Sequence, residues 1–283
     1  MTGSEKFSFY LKGTKVADPE VKTLTGETII LGNKSVGAYV EDGARVENHS
    51  AIILGENGAA LYAKGAGSAI TNDAELTIGK NTVGIYQENG DHDKISDKGK
   101  ILSEKEEAKG IVFKKSSAAN FKNAGTINLT GVSSIGVYAD GAAHTFENDG
   151  NIEVGDSIEG KNQSVAVYVK DSAKVVNKKN IKAGKNSIGI YGYAVTLENA
   201  SSLEAGDAGI GIFSQGGKLE LNNGSKIKIG ETSGKNKEAV GVYYKGINGT
   251  ITNSLTSLDF GKGSIGFVIG GSGNTFQNKL NSV

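Results

Sequence analysis

The sequence predicts an all-β fold: a right-handed parallel β-helix of about eleven coils, each of roughly 25 residues and three short strands. Three observations lead there. A small residue, an aromatic and an asparagine recur in fixed order along 283 residues. Their spacing runs from 22 to 30 residues and averages about 25. Within each repeat, three short runs alternate with a period of two, the signature of strands rather than helices.

The small residues that anchor the repeats are Gly37, Ala60, Gly84, Gly110, Gly136, Ala166, Gly189, Gly211, Gly241 and Gly266. Two places after each come Tyr39, Tyr62, Tyr86, Val112, Tyr138, Tyr168, Tyr191, Phe213, Tyr243 and Val268. Further along each repeat stands Asn48, Asn72, Asn123, Asn148, Asn177, Asn199, Asn223, Asn253 or Asn278, with Asp97 replacing asparagine in one coil. An apolar pair that often ends in glycine closes the repeat, as at Val154–Gly155 and Ile229–Gly230. A propeller blade needs four strands and a longer period, and helical repeats would show a 3.6-residue period that is not found. Three short strands coiled into a stack fit, with a rise of about 4.8 Å per coil and a rod roughly 50 Å long. Right-handedness follows from the general preference of parallel crossovers. Residues 1–283 read as one array, with 1–34 an irregular first coil and 35–283 the regular ones.

Stacking gives the recurring residues their expected roles. Ile135, Val137 and Ala139 are expected to face inward and Gly136, Tyr138 and Asp140 outward. The tyrosine column would then cover the bare glycine beside it. The asparagines share the parity of the inward residues. They are expected at a bend between strands, each amide bonded to the next up the stack. An outward column of rings is also a candidate binding strip, because tyrosine offers a flat apolar face and a polar tip.

Composition narrows the function. Lysine plus arginine and aspartate plus glutamate both total 31, so no basic surface for nucleic acid is expected. There are 42 glycines, one proline (Pro19) and no cysteine, which excludes a disulfide framework and thiolate metal sites. His49, His92 and His144 lie in three different repeats without metal-ligand spacing. No nucleophile elbow or phosphate loop is present, and no cofactor or metal is expected. Parallel β-helices include polysaccharide lyases and hydrolases. However, the outward residues after the aromatic, Glu88, Asp140, Lys170, Gln215 and Lys245, do not form an acidic cluster. A non-catalytic chain is therefore expected. The glycine-rich "GGSGNTF" (270–276) reads as a turn. Two insertions, Asp156–Gln163 and Glu231–Glu238, enlarge the same edge of two coils, and the charged stretch 89–110 is the least faithful repeat. These are the candidate projecting loops.

The phrases "SSIGVYADG" and "FENDGNIEVG", repeated with lysine- and asparagine-rich filler from about Phe7 to Val283, resemble the passenger region of type V autotransporters. The resemblance is greatest to the very large fusobacterial outer-membrane adhesins of the RadD type. It implies export, display on the bacterial surface, and adhesion to a protein or glycan on partner cells. Contact with the membrane would come only through a C-terminal barrel that this stretch does not contain, so the chain reads as a segment of a longer passenger. A pure stalk is the other expectation the resemblance leaves open. Trimeric autotransporter heads share some phrases, but their coils are nearer fourteen residues. Unpaired strand edges at the two ends of such a segment are expected to favour end-to-end self-association.

Overall fold

The computed structural model describes residues 7–13, 20–89, 95–114, 120–141, 145–171, 174–234 and 238–279. They form a right-handed parallel β-helix. Three parallel sheets run the length of the stack, with eleven, eleven and ten strands among the described residues. The coil of Ile135–Asp140, Thr145–Asn148 and Asn151–Val154 is typical, supplying one strand to each sheet. Every strand between the ends of its sheet pairs in parallel with its equivalents one coil below and above. Tyr138, for example, lies between Val112 and Tyr168.

Alternation within the strands builds a single continuous core. Ile127, Ile152, Ile181, Leu203 and Ile227 fill it from the third sheet, and Phe121, Phe146, Val175 and Leu197 from the second. Phe113, Phe121 and Phe146 form a stacked run inside it, with centroids 5.0 and 4.8 Å apart. Corners are made by residues in the left-handed region, which repeat three places before the anchor. Asn57, Asn81, Asn186, Glu107, Ser133 and Ala208 all hold φ between 47° and 62°. Asparagine adopts that conformation most readily of the non-glycine residues, which explains its frequency there.

The structure corrects the expected parity of the anchor. Gly136 and Val137 are both buried, whereas Ile135 is half-buried on the outer face. Alternation therefore breaks where the chain turns into the strand, and the anchor glycine faces the core. A Cβ added to Gly136 would lie 2.4 Å from the Ala166 carbonyl oxygen and 2.6 Å from Ile152 Cγ2. Gly84 and Gly110 meet Ile101 and Ile127 in the same way. The glycine column exists because the third sheet's isoleucines press against it, so the tyrosines have no bare outer backbone to cover. Lys109 occupies the outward row of Val83 and Ile135.

Buried asparagines line the corner after the second strand. Asn48, Asn72, Asn123, Asn148, Asn177, Asn199 and Asn253 are at most 2% exposed. Nδ2 of Asn123 donates to Oδ1 of Asn148 at 2.8 Å, Asn148 to Asn177 at 2.8 Å, and Asn177 to Asn199 at 2.7 Å. Asn48 donates to Asn72 at 2.7 Å and Asn253 to Asn278 at 2.9 Å. Two assignments need correction. Asn223 is exposed, and the ladder position of its coil is taken by buried Leu221, which pairs with Asn199 and Asn253. The turn after this strand is longer, which places the asparagine two residues beyond the bend. Asn278 is in register but exposed, because its coil is the last in the stack. Below Leu221, Asn199 turns its Nδ2 to the Ser201 carbonyl at 3.0 Å.

Charged pairs tie the outer rows together. Glu147 accepts from Lys178 at 2.8 Å and from Lys122 at 2.9 Å. These two ammonium groups hold its carboxyl down to about 2.

Two outcomes follow from these contacts. Asn148→Ala removes a donor and an acceptor from the middle of a buried run, so about 1–3 kcal/mol of stability is lost through the unsatisfied neighbours. Thermal unfolding checks this, and an unchanged midpoint would contradict the ladder's role. Because the folded pKa of Glu147 lies below its unfolded value near 4.5, its contribution is present above that pH and disappears as pH falls towards 2. The stability difference between wild type and Glu147→Gln should therefore shrink progressively between pH 4.5 and 2. A difference independent of pH would exclude the ion pairs as its source.

Candidate functional site

The outer face of the first sheet carries the aromatic column. Because equivalent residues stack in register, the rings must lie face to face at the strand spacing. Tyr10, Tyr39, Tyr62 and Tyr86 form one block, with centroids 5.4, 4.9 and 4.7 Å apart. Tyr138, Tyr168, Tyr191, Phe213 and Tyr243 form a second, at 5.1, 4.7, 5.0 and 5.0 Å. Interplanar angles are 16–27° in the first block and 1–8° in the second, so the second is the flatter surface. From Tyr39 to Tyr243 the rings are half-buried. Tyr39, Tyr62, Tyr168, Tyr191 and Phe213 have rings against both faces, whereas Tyr86, Tyr138 and Tyr243 at the ends of the blocks have a ring against one.

The polar tips divide the blocks further. Tyr10 and Tyr39 both donate to Glu41, at 2.6 and 2.9 Å, and Tyr62 donates to Glu88. Tyr138 donates to Asp140 at 3.0 Å, and Asp140 also pairs with Lys170 at 3.0 Å. Partial burial and the Glu41 carboxylate push Tyr39 up to about 12, and burial raises Tyr62 and Tyr138 as well. Tyr168 and Tyr191 are followed two places on by Lys170 and Tyr193, and so lack the carboxylate that the strand gives Tyr138.

Val112 separates the two blocks and Val268 ends the second. At Val112 the surface opens into a cavity of about 270 Å³ between Tyr86 and Tyr138. Sequence reasoning placed this valine in the aromatic row without giving it a role. The signal it passed over is that valine stands between two tyrosines in the column, with a lysine on either side along the strand, Lys109 and Lys114.

Sequence reasoning also gave no role to the hydroxyl residue two places before the anchor. Ser35, Thr82, Ser134, Ser164 and Ser187 are buried at that corner. Thr82 Oγ1 donates to the Gly55 carbonyl at 2.7 Å and Ser187 Oγ to the Gly155 carbonyl at 3.0 Å. These bonds fasten the third sheet's exit to the first sheet's entry. The repeated "S-x-G" phrase was the available signal.

The insertion 156–163 joins the third sheet to the first, as does the stretch 231–238, of which 235–237 lie outside the described residues. Lys161 reaches back to Glu106 at 2.5 Å, and Lys80 meets the same carboxylate at 2.6 Å. The insertion is thus pinned across coils, leaving Ile158 at its tip 52% exposed. A shallow trough of about 730 Å³ follows the corner between the second and third sheets. Its floor includes Gly99, Gly125 and Gly150, and Asp73, Glu75, Lys98 and Lys100 give its wall both signs of charge. Among the described residues, no three His, Asp or Glu side chains are grouped to hold a metal ion. His92 and His144 lie outside the described residues.

Comparison with known proteins places this architecture. No curated protein and no solved structure matches the chain. The model of one family, the BigA third pectate lyase-like domain, matches residues 4–200, which is more than half of the sequence. BigA is an autotransporter-type adhesin, and "pectate lyase-like" describes the fold. The chain therefore belongs to the family of the BigA third pectate lyase-like domain, and is a β-helical region of the autotransporter-passenger kind.

Proposed function

We propose that this chain is a non-catalytic segment of a surface-displayed bacterial passenger, of the fusobacterial RadD type. In this reading it mediates adhesion to a protein or glycan on other cells or host surfaces. One observation carries it: five rings from Tyr138 to Tyr243 form a flat, edge-exposed surface with interplanar angles of only 1–8°. A rigid row of amphipathic rings loses little conformational entropy on contact, which is why tyrosine is favoured at binding surfaces. The glycine column does not require the rings as cover, so that structural explanation for the strip falls away.

A stalk role is favoured by a different observation. In the first block, the hydroxyls of Tyr10, Tyr39 and Tyr62 are engaged by Glu41 and Glu88 of the same sheet. The Tyr10 and Tyr62 bonds cross from one coil to the next, so these rings serve to brace neighbouring coils. We assign bracing to the first block and contact to the second.

The last coil leaves Phe260, Ile265, Ile269 and Phe276 between 39% and 47% exposed. We infer that this apolar end pairs with a second copy of the chain. Sedimentation should show association that grows with concentration and is lost on Ile269→Lys. A monomer at every concentration would oppose this.

The adhesive reading is tested by replacing Tyr138, Tyr168 and Tyr191 together with valine, the residue the chain itself uses at Val112. Binding of the folded variant to partner cells is expected to fall severalfold while its circular dichroism is unchanged. Full adhesion by a folded variant would assign the strip to bracing throughout and leave the insertion at 156–163 as the contact.

A further inference from the structure

We propose that the notch at Val112 is a binding slot for one aromatic side chain of a partner polypeptide, with an acidic residue beside that side chain. The inference deepens the adhesive reading by naming the chemistry that the first sheet's outer face would recognise, and it rests on that reading for its biological role.

The geometry of the column sets the shape of the slot. Elsewhere in the two blocks, neighbouring rings stack 4.7–5.4 Å apart. Tyr86 and Tyr138 are two coils apart, because Val112 pairs with both. Two strand steps separate them by roughly 10 Å, which admits one ring stacked on each at the spacing the column already uses. Val112 is only 4% exposed and forms the floor. The opening measures about 270 Å³. In the neighbouring coils this position is filled by the chain's own ring, and here the chain leaves it open.

The chemistry of the walls selects the occupant. Val83 and Ile135 extend the apolar lining along the strand direction. A sugar ring would bring several hydroxyls that donate as well as accept, whereas the two lysines of the lining only donate and the Tyr138 hydroxyl is already given to Asp140. An aromatic side chain brings no such requirement. The polar groups of the lining are the rims of the tyrosines and two lysines, Lys109 and Lys114. Among the described residues, the Lys109 ammonium donates to the Asn81 side-chain oxygen at 3.2 Å and to the Glu107 carbonyl at 3.4 Å, and to no carboxylate. Glu88 and Asp140, the carboxylates on either side of Lys114, are drawn to Tyr62 and to Tyr138 and Lys170. The slot thus presents two cations and no carboxylate, which favours a ring flanked by acidic residues.

The test uses a property of the chain itself: it contains no tryptophan. A tripeptide Ac-Glu-Trp-Glu-NH2 can therefore be followed by its own fluorescence against the whole protein. Wild type is expected to shift the emission to the blue saturably, with affinity that weakens as salt is raised. Val112→Tyr fills the slot from within and should bind roughly tenfold more weakly or worse, while its melting temperature stays level or rises. If that variant fails to fold, Lys109→Gln with Lys114→Gln decides: weaker binding with a flatter salt dependence is expected, and unchanged binding overturns the proposal. It is also overturned if Val112→Tyr binds normally, if wild type gives no saturable shift, or if Ac-Glu-Leu-Glu-NH2 competes as well as the tryptophan peptide. Equal competition by a glucuronic acid disaccharide would overturn it in favour of an acidic sugar. Loss of peptide binding with cell adhesion intact removes the slot alone, whereas intact peptide binding without adhesion removes the proposed function alone.

Discussion

In-register stacking of parallel strands is the constraint on which the molecule depends. Each residue sits directly over its equivalent, roughly 4.8 Å away. A side chain chosen for one coil must therefore be compatible with a near-copy of itself above and below. Apolar residues, flat rings, amides and glycine meet that condition. Like charges do not, and the outward row after the aromatic avoids them by alternating: Glu41, Lys64, Glu88, Lys114, Asp140, Lys170. The ladder of asparagines is the same rule applied to a group that both donates and accepts. Leu221 marks where the rule can be met another way, by removing the polar group from that corner and letting Asn199 bond to the backbone.

The fold was legible because stacking writes itself into the sequence as a period. The three strands, their parallel arrangement and the buried corner asparagines all follow from spacing and parity. Parity failed at the anchor. Gly136 and Val137 both point inward, and strict alternation cannot express two consecutive inward residues. The clue available in its place was the serine or threonine two places before the anchor, which marks the bend. Asn223 was misassigned for a related reason: counting from the anchor places a residue correctly only if every turn has the same length.

The candidate site was harder to read, since a column of tyrosines has the same sequence whether it braces coils or meets a partner. What separates the two blocks lies in contacts between coils: the carboxylates of the next coil that Tyr10 and Tyr62 reach, and the flatness of the run from Tyr138 to Tyr243. The cavity at Val112 is a property of its neighbours' rings and not of the valine. Gln87 shows the limit of the rule from the other side. It lies in the inward row with both amide atoms buried and without a partner among the described residues, between the side chains of Ala63 and Phe113, neither of which can bond it.

The direction of the hydrogen bonds also gives the rod a mechanical character. The bonds that join coils lie along the axis, so tension applied between the two ends opens them in series and not in shear. The coil at the end yields first, and its residues pass from a rise of about 4.8 Å per coil to an extended length of roughly 85 Å for 25 residues. A rod of this design lengthens stepwise under a pull and dissipates work in each step, while the coils still stacked keep their rings in place.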